Sequence, residues 1–408
     1  MRVLVVSQHF WPESFRINDV VVDLTRVGCE VEVLTGQPNY PEGSVFPGYK
    51  ALSMGRQAYG SGITVHRVPL AARGPGSAVR LAANYLSFIF SASILGPWLL
   101  RGRRFDAVFV YGTSPILQAI PAVLLKLLKR ARLVIWVQDL WPESLEVTGF
   151  VRNRRLLGAV AAVVRWIYRR ADLLLVQSEA FIPPVSAMAG GTRVVYHPNP
   201  GEAMQEHGAA GDAAPRVPLD EGAFNVVFAG NLGTVQALET VVEAADRLRE
   251  HPDIRIVLVG GGSRAEWVQQ EVSRRRLTNV QLPGKYPSAS MPDLMRRASA
   301  LLVTLSRQPI LAQTVPSKLQ TYLAGGTPII ASLDGEGARV VVEAGAGLAC
   351  PAEDAGALAS AILRLRDMPA EERARLGTAG RQFFARHYEP LALAERLAAW
   401  MRTAASRG

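Results

Sequence analysis

Short runs of β-branched and aliphatic residues alternate with longer mixed stretches along nearly the whole chain. In the first half these runs fall at 2–7, 31–35, 63–69, 107–111, 133–138, 173–177 and 193–197. In the second half they fall at 225–229, 255–259, 279–283, 300–305, 328–332 and 347–350. A continuous run such as Ile254-Arg255-Ile256-Val257-Leu258-Val259 predicts a strand buried on both faces, as in a parallel sheet covered by helices. Residues 201–223 are rich in Gly, Ala, Pro and Asp, carry no sustained apolar period, and are the expected linker. The pattern therefore predicts two α/β domains, 1–200 and 224–387, facing each other across a cleft. Ligands of such sheets bind beyond the carboxyl ends of the strands. Residues 390–401 form an apolar-periodic helix with no strand after it, and 388–408 are expected to pack back on the first domain.

Composition narrows the class. The 408 residues suit two ordinary domains, and 49% hydrophobic against 20% charged residues suits large cores. A net charge of +10 favours anionic partners such as phosphorylated substrates or acidic lipid. The basic residues are not interleaved with aromatics, which argues against a nucleic-acid partner. Cys29 and Cys350 are too few and too far apart for a disulfide framework or a metal knuckle, which fits the cytoplasm. The apolar start at Arg2 is too short for a signal peptide and reads as a first strand.

The motifs select among open α/β proteins. No GxxxxGK[ST] loop occurs, and the first strand runs into Ser7-Gln8-His9-Phe10-Trp11-Pro12 rather than GxGxxG. The second domain offers two strand-to-helix glycine turns, Ala229-Gly230-Asn231-Leu232-Gly233 and Val259-Gly260-Gly261-Gly262-Ser263-Arg264. Glycine lets backbone N–H groups approach a phosphate, and a helix start adds a positive dipole. A third element, from Val315-Pro316-Ser317-Lys318-Leu319 through Thr321 to Gly325-Gly326, predicts a helix, a glycine stop and a buried strand. Acidic residues usually occupy a first helical turn, so Lys318 there opposes the dipole unless an anion sits with it.

This region resembles the signature of retaining glycosyltransferases of family 4, which have the GT-B fold of two Rossmann-like domains. The same resemblance extends to Leu34-Thr35-Gly36, to Val137-Gln138-Asp139-Leu140-Trp141-Pro142-Glu143-Ser144, to His197-Pro198-Asn199-Pro200 and to 383–388. Within the family, 7–19 and 35–43 look closest to the branch that builds bacterial colanic acid, capsule and O-antigen units, including the L-fucosamine transferases. The resemblance implies a retaining transferase that takes its sugar from a nucleoside diphosphate, UDP ranking ahead of GDP, with no cofactor and no essential metal. It implies donor contacts at Gly230, Asn231, Gly233, Gly262, Arg264, Lys285, Tyr286, Gln313, Ser317, Leu319 and Thr321. The family's paired glutamates align with Gln313 and Thr321, and its first-loop Arg and Lys with Asn231 and, approximately, Gln236. Lys318, Arg264 and Lys285 are then the cations left to meet the departing diphosphate. A sugar-nucleotide epimerase of the same fold and a catalytically weakened nucleotide- or lipid-binding homologue are the alternatives.

The first domain is expected to bind the acceptor, a lipid-linked saccharide. Trp-Pro-Glu-Ser occurs twice, at Trp11 to Ser14 and at Trp141 to Ser144, each time after a predicted strand. Glu13, Asp139 and Glu143 are candidates to orient or deprotonate the acceptor hydroxyl, with Asp139 foremost. Arg16, Asn18 and Asn39 are candidate acceptor contacts, whereas His9 and His66 read as structural. Residues 81–100 hold no charge and are long enough to cross a membrane, but strands precede and follow them in one sheet. A polar strip of Asn84, Ser87 and Ser91 leaves two readings, a buried core helix or one lying in the interface. Arginines at 152, 154, 155, 165, 169 and 170 beside apolar residues add an expected attraction to an anionic membrane surface.

Overall fold

A computed structural model describes residues 1–74, 78–147, 153–201 and 214–406. Arg152 and 202–213 of the expected linker lie outside the described residues. Two compact units result: Met1–Pro198 with Pro390–Gly408, and Asn199–Glu389.

The first unit is built on eight strands: β1 Arg2–Val6, β2 Glu30–Thr35, β3 Gly55–Tyr59, β4 Ile63–Arg67, β5 Ala107–Gly112, β6 Arg132–Val137, β7 Leu173–Val176 and β8 Val194–Tyr196. They line up in the order β3-β4-β2-β1-β5-β6-β7-β8. All neighbours are parallel except β3 with β4. Alternation along β1 serves two cores. Val3 and Val5 face the helices Ile17–Arg26 and Pro390–Ser406. Leu4 and Val6 face the layer formed by Ala78–Leu99, Ile120–Lys129 and Arg154–Arg170. From the returning C-terminal helix, Leu397, Ala398 and Met401 are buried in the first of these cores. Burying a Leu or Met side chain contributes about 2 kcal/mol each.

The second unit holds β9 Phe224–Asn231, β10 Ile254–Gly261, β11 Val280–Gly284, β12 Ala300–Thr304, β13 Ile329–Ser332 and β14 Gly347–Cys350. Their order, β11-β10-β9-β12-β13-β14, is wholly parallel and is the doubly wound 3-2-1-4-5-6 arrangement. In both units the strand order reverses beside the first strand, at β1/β5 and at β9/β12. Those are the positions where such sheets receive ligands.

Three features differ from the sequence expectation. Strand β3 was absent from it, because Gly-Arg-Gln-Ala-Tyr has no apolar run and pairs on one side only. The described end of the expected linker belongs to the second unit: Val217 is buried there, and Arg297 donates to its carbonyl at 3.0 Å. Of the two readings of the apolar helix, Ala78–Leu99, the buried core helix does not hold, since only 22% of its apolar window is buried. Its strip of Asn84, Ser87 and Ser91 points inward, and Leu86, Phe90, Ile94 and Trp98 point to solvent.

Candidate functional site

The carboxyl end of β9 is held by a lattice of polar bonds. The Tyr322 hydroxyl accepts the Ala229 N–H at 2.8 Å and donates to the Ala229 carbonyl at 3.1 Å. This pins the helix Ser317–Gly325 to the strand end just before the first glycine turn. The two glycine turns are laced together, since Leu232 N–H donates to the Gly261 carbonyl and Arg264 N–H to the Leu232 carbonyl, both at 2.9 Å. Glycine is required where they meet. A Cβ on Gly262, whose φ is +158°, would lie 2.5 Å from both Asn231 Oδ1 and the Leu232 carbonyl. The Asn231 amide also lies against Gly233, where a Cβ would sit 2.7 Å from its nitrogen.

Lys318 occupies the middle of this lattice. Its helix starts at Pro316 with no side-chain cap and no acid in the first turn, although Leu319 N–H is already taken by the Pro316 carbonyl at 2.9 Å. The Lys318 ammonium donates to Gln236 Oε1 at 2.7 Å and stands 3.7 Å above the Phe228 ring. Gln236 is itself fixed, because its carbonyl accepts from Thr304 Oγ1 at 2.6 Å. Among the described residues no carboxylate pairs with Lys318. Burial brings its pKa down to about 7, so the group is only half charged near neutrality until an anion joins it. Gly230 is close by: with φ at +144°, a Cβ there would come within 3.4 Å of Nζ.

The other expected donor residues divide. Arg264 is ion-paired with Glu239 and lies 4.1 Å from the Trp267 ring, so its charge is already answered. The Lys285 stem crosses Gly261, where a Cβ would meet its Cε at 2.4 Å. Tyr286 packs on the core beneath, and Leu319 is wholly buried in it. Gln313 follows the short helix Pro309–Ala312 and donates to the Pro309 carbonyl at 3.3 Å. Ser317 is exposed and Thr321 half-buried on the lysine's own helix. The sequence reading missed Tyr322 and Phe228 as supports. Tyr322 was within reach, being four positions after Lys318 and so on the same helical face.

In the first unit Asp139 lies after β6, half-buried, with Oδ2 accepting the Ser114 N–H at 2.9 Å. Burial raises its carboxyl above the ordinary range, partly offset by that N–H. Trp141 donates to Ser114 Oγ at 2.8 Å, and Glu143 is exposed at the start of a short helix. Glu13 has a different setting from the one its motif suggests. It is 1% exposed, accepts Asn39 and Tyr40 N–H groups at 2.7 Å each, and contacts His9 Nδ1 at 3.0 Å. Asn39 and Asn18 are likewise engaged internally. Asn39 Oδ1 accepts from Asn84 and Arg73, and Asn18 closes the Trp11 turn by bonding Trp11 N–H and the Glu13 carbonyl. Arg16 stands at the start of the helix Ile17–Arg26.

Two largely parallel, doubly wound sheets, each with its switch point beside the first strand, have the architecture of the GT-B fold. Comparison with known proteins extends this. Residues 14–200 match the glycosyl transferase 4-like domain and residues 212–383 match glycosyl transferases group 1. Together the two matches take in most of the chain and mark it as a glycosyltransferase. WcaI of Escherichia coli K12, assigned as a colanic acid biosynthesis glycosyl transferase, is 29% identical over 81% of this chain and 83% of its own. WbjE of Pseudomonas aeruginosa, assigned as a glycosyltransferase, is 25% identical over 79% and 80%. Among solved structures, a sucrose-phosphate synthase from Thermosynechococcus elongatus superposes with a TM-score of 0.71 at 17% identity over 100% of both chains. HepE of Anabaena, in complex with UDP, gives 0.64 at 14% identity over 99% of this chain and 100% of its own.

Proposed function

We propose that this enzyme moves a sugar from a nucleoside diphosphate to a hydroxyl of a lipid-linked saccharide during assembly of a bacterial surface polysaccharide. The transfer proceeds with retention, at the cytoplasmic face of the plasma membrane, where the chain is a peripheral protein. WcaI, named for colanic acid biosynthesis, is the relative that favours this pathway class, and the sequence resembles the branch that includes the L-fucosamine transferases. UDP is the nucleotide to try first, because an Anabaena protein of the same fold binds it.

One observation carries the reading: Lys318 is a half-buried ammonium beside a glycine turn and, among the described residues, has only an amide and an aromatic ring for company. A diphosphate supplies the missing charge. As the bond between the anomeric carbon and the diphosphate oxygen breaks, its electron pair leaves on the diphosphate. Lys318 and the Ser317 helix start stabilise that growing charge. The acceptor oxygen forms the new bond to the anomeric carbon, and Asp139 takes the hydroxyl proton. Gly230, Asn231, Gly233 and Gly262 shape the phosphate turn, with Lys285 and Gln313 at its edge. Glu13, Asn18 and Asn39 hold the first-unit loops. Arg16 and Glu143 are the remaining candidates to meet the acceptor. Thermal unfolding of the purified protein with UDP, GDP and dTDP sugars tests this. Stabilisation by one of them, lost in Lys318→Ala, is expected. Equal stabilisation of Lys318→Ala would end the assignment.

A further inference from the structure

Three helices cover one face of the first sheet, Ala78–Leu99, Ile120–Lys129 and Arg154–Arg170, and none of them contains an acidic residue. The opposite face is different: its helix Ile17–Arg26 carries Asp19 and Asp23, and Pro390–Ser406 carries Glu395. These three helices are also the apolar ones, while Glu143 and Glu179 lie on short helices packed on the same core. On the longest helix Phe90 is 65% exposed and Ile94 68%, in one stripe with Leu86 and Trp98. The stripe continues on the neighbouring helices through Leu127 and Leu128, and through Leu156 and Trp166.

We infer that this face docks in the plane of a bilayer containing anionic lipid, with the Phe90 stripe inserted and arginines on the headgroups. The two exposed tryptophans of this face are each paired with an arginine: Arg101 lies 4.6 Å from the Trp98 ring and Arg170 5.6 Å from the Trp166 ring. An amphipathic ring under a guanidinium is suited to the boundary between acyl chains and headgroups. Arg101, Arg104 and Arg130 add exposed positive charge at the ends of the first two helices, and Arg165 and Arg169 on the third.

Length and hydropathy would let Val79–Leu99 cross a membrane. The fold rules that out: β4 precedes the helix and β5 follows it, and both belong to one sheet. Its polar side is already engaged in holding the unit together. Asn84 bonds Gln8 Nε2 at 2.7 Å and the Ala71 carbonyl at 2.6 Å, and Ser91 bonds the Pro69 carbonyl at 2.6 Å. An inside-out helix of this kind offers only its apolar side, which lies flat.

The inference rests on the membrane location proposed above, but its test needs neither nucleotide nor acceptor, so the two can fail separately. The full chain is floated with phosphatidylcholine vesicles, with and without phosphatidylglycerol, while tryptophan emission is followed. Binding is expected only with phosphatidylglycerol, with a blue shift and a decline as salt rises. Phe90→Ser with Ile94→Ser should weaken it more than about tenfold. Arg101→Glu and Arg170→Glu should each cost about fivefold. Unchanged thermal unfolding of the variants confirms that the fold survives. Absence of flotation, or undiminished flotation of the double variant, overturns the inference. So does a wild-type dimer that the double variant dissolves, which would give the face to a second copy of the chain.

Discussion

The carboxyl ends of β1 and β9 are the same place in two similar sheets, yet their polar groups are handled in opposite ways. After β1, Gln8 N–H bonds Gln118, Gln8 Nε2 bonds Asn84, and Glu13 accepts from two loop amides and contacts His9. After β9, Lys318 is half-buried with one neutral hydrogen-bond partner and a ring. The first arrangement is held by bonds within the unit and leaves no charge unanswered, although Gln8 Oε1 has no partner among the described residues. The second bears a desolvation cost that an anion relieves. Polar groups at a switch point are therefore ambiguous until their partners are known: the difference between the two ends is a cation with no anionic partner, not a missing hydrogen bond.

The sharpest break in this comparison is Lys318→Ala. Steady-state transfer should fall by two to three orders of magnitude, about 3–4 kcal/mol of lost transition-state stabilisation, while thermal stability holds or rises because a buried charge is gone. Lysine with a pKa of about 7 is half neutral at neutrality, and a bound diphosphate favours its charged form. Nucleotide binding should therefore take up a proton above pH 7. Its affinity should weaken up to about tenfold per pH unit there, read by calorimetry in buffers of different ionisation enthalpy. Lys318→Met should flatten that slope. Next in size, Asp139→Asn should lower turnover about a hundredfold without changing nucleotide affinity; an unaltered rate would leave the first unit without a base.

Glu13→Ala sharpens the other side. It strips the Asn39 and Tyr40 amides of their acceptor, and urea unfolding should report a loss of about 2 kcal/mol. Glu143→Gln is the smallest effect, within about 0.5 kcal/mol of wild-type stability, because that side chain is exposed. Equal losses at Glu13 and Glu143 would erase the distinction between the motif's two copies.

Those two copies also mark how far sequence alone reaches. Trp-Pro-Glu-Ser reads identically at Trp11 and Trp141. The difference between a carboxylate at 1% exposure and an exposed one is set by a loop 26 residues further on that folds over only the first. The buried strands announced themselves because each is a run of β-branched residues covered on both faces. Strand β3, with a polar edge sequence, had nothing to announce it. Lys318 stood out as a cation where acids are usual. Its seat on Phe228 and Gln236, the latter 82 residues away in sequence, required the fold. The strip of Asn84, Ser87 and Ser91 was visible too, but periodicity gives a face without saying which way it points.

The returning C-terminal helix carries a consequence for biosynthesis. Leu397 and Met401 fill a core whose other walls come from Val3, Val5 and Leu24, near the opposite end of the polypeptide. As the chain leaves the ribosome, the second unit has all of its residues by Glu389, while the first still lacks a wall. The half synthesised first is thus completed last, and in the interval its open apolar surface is the region that needs shielding.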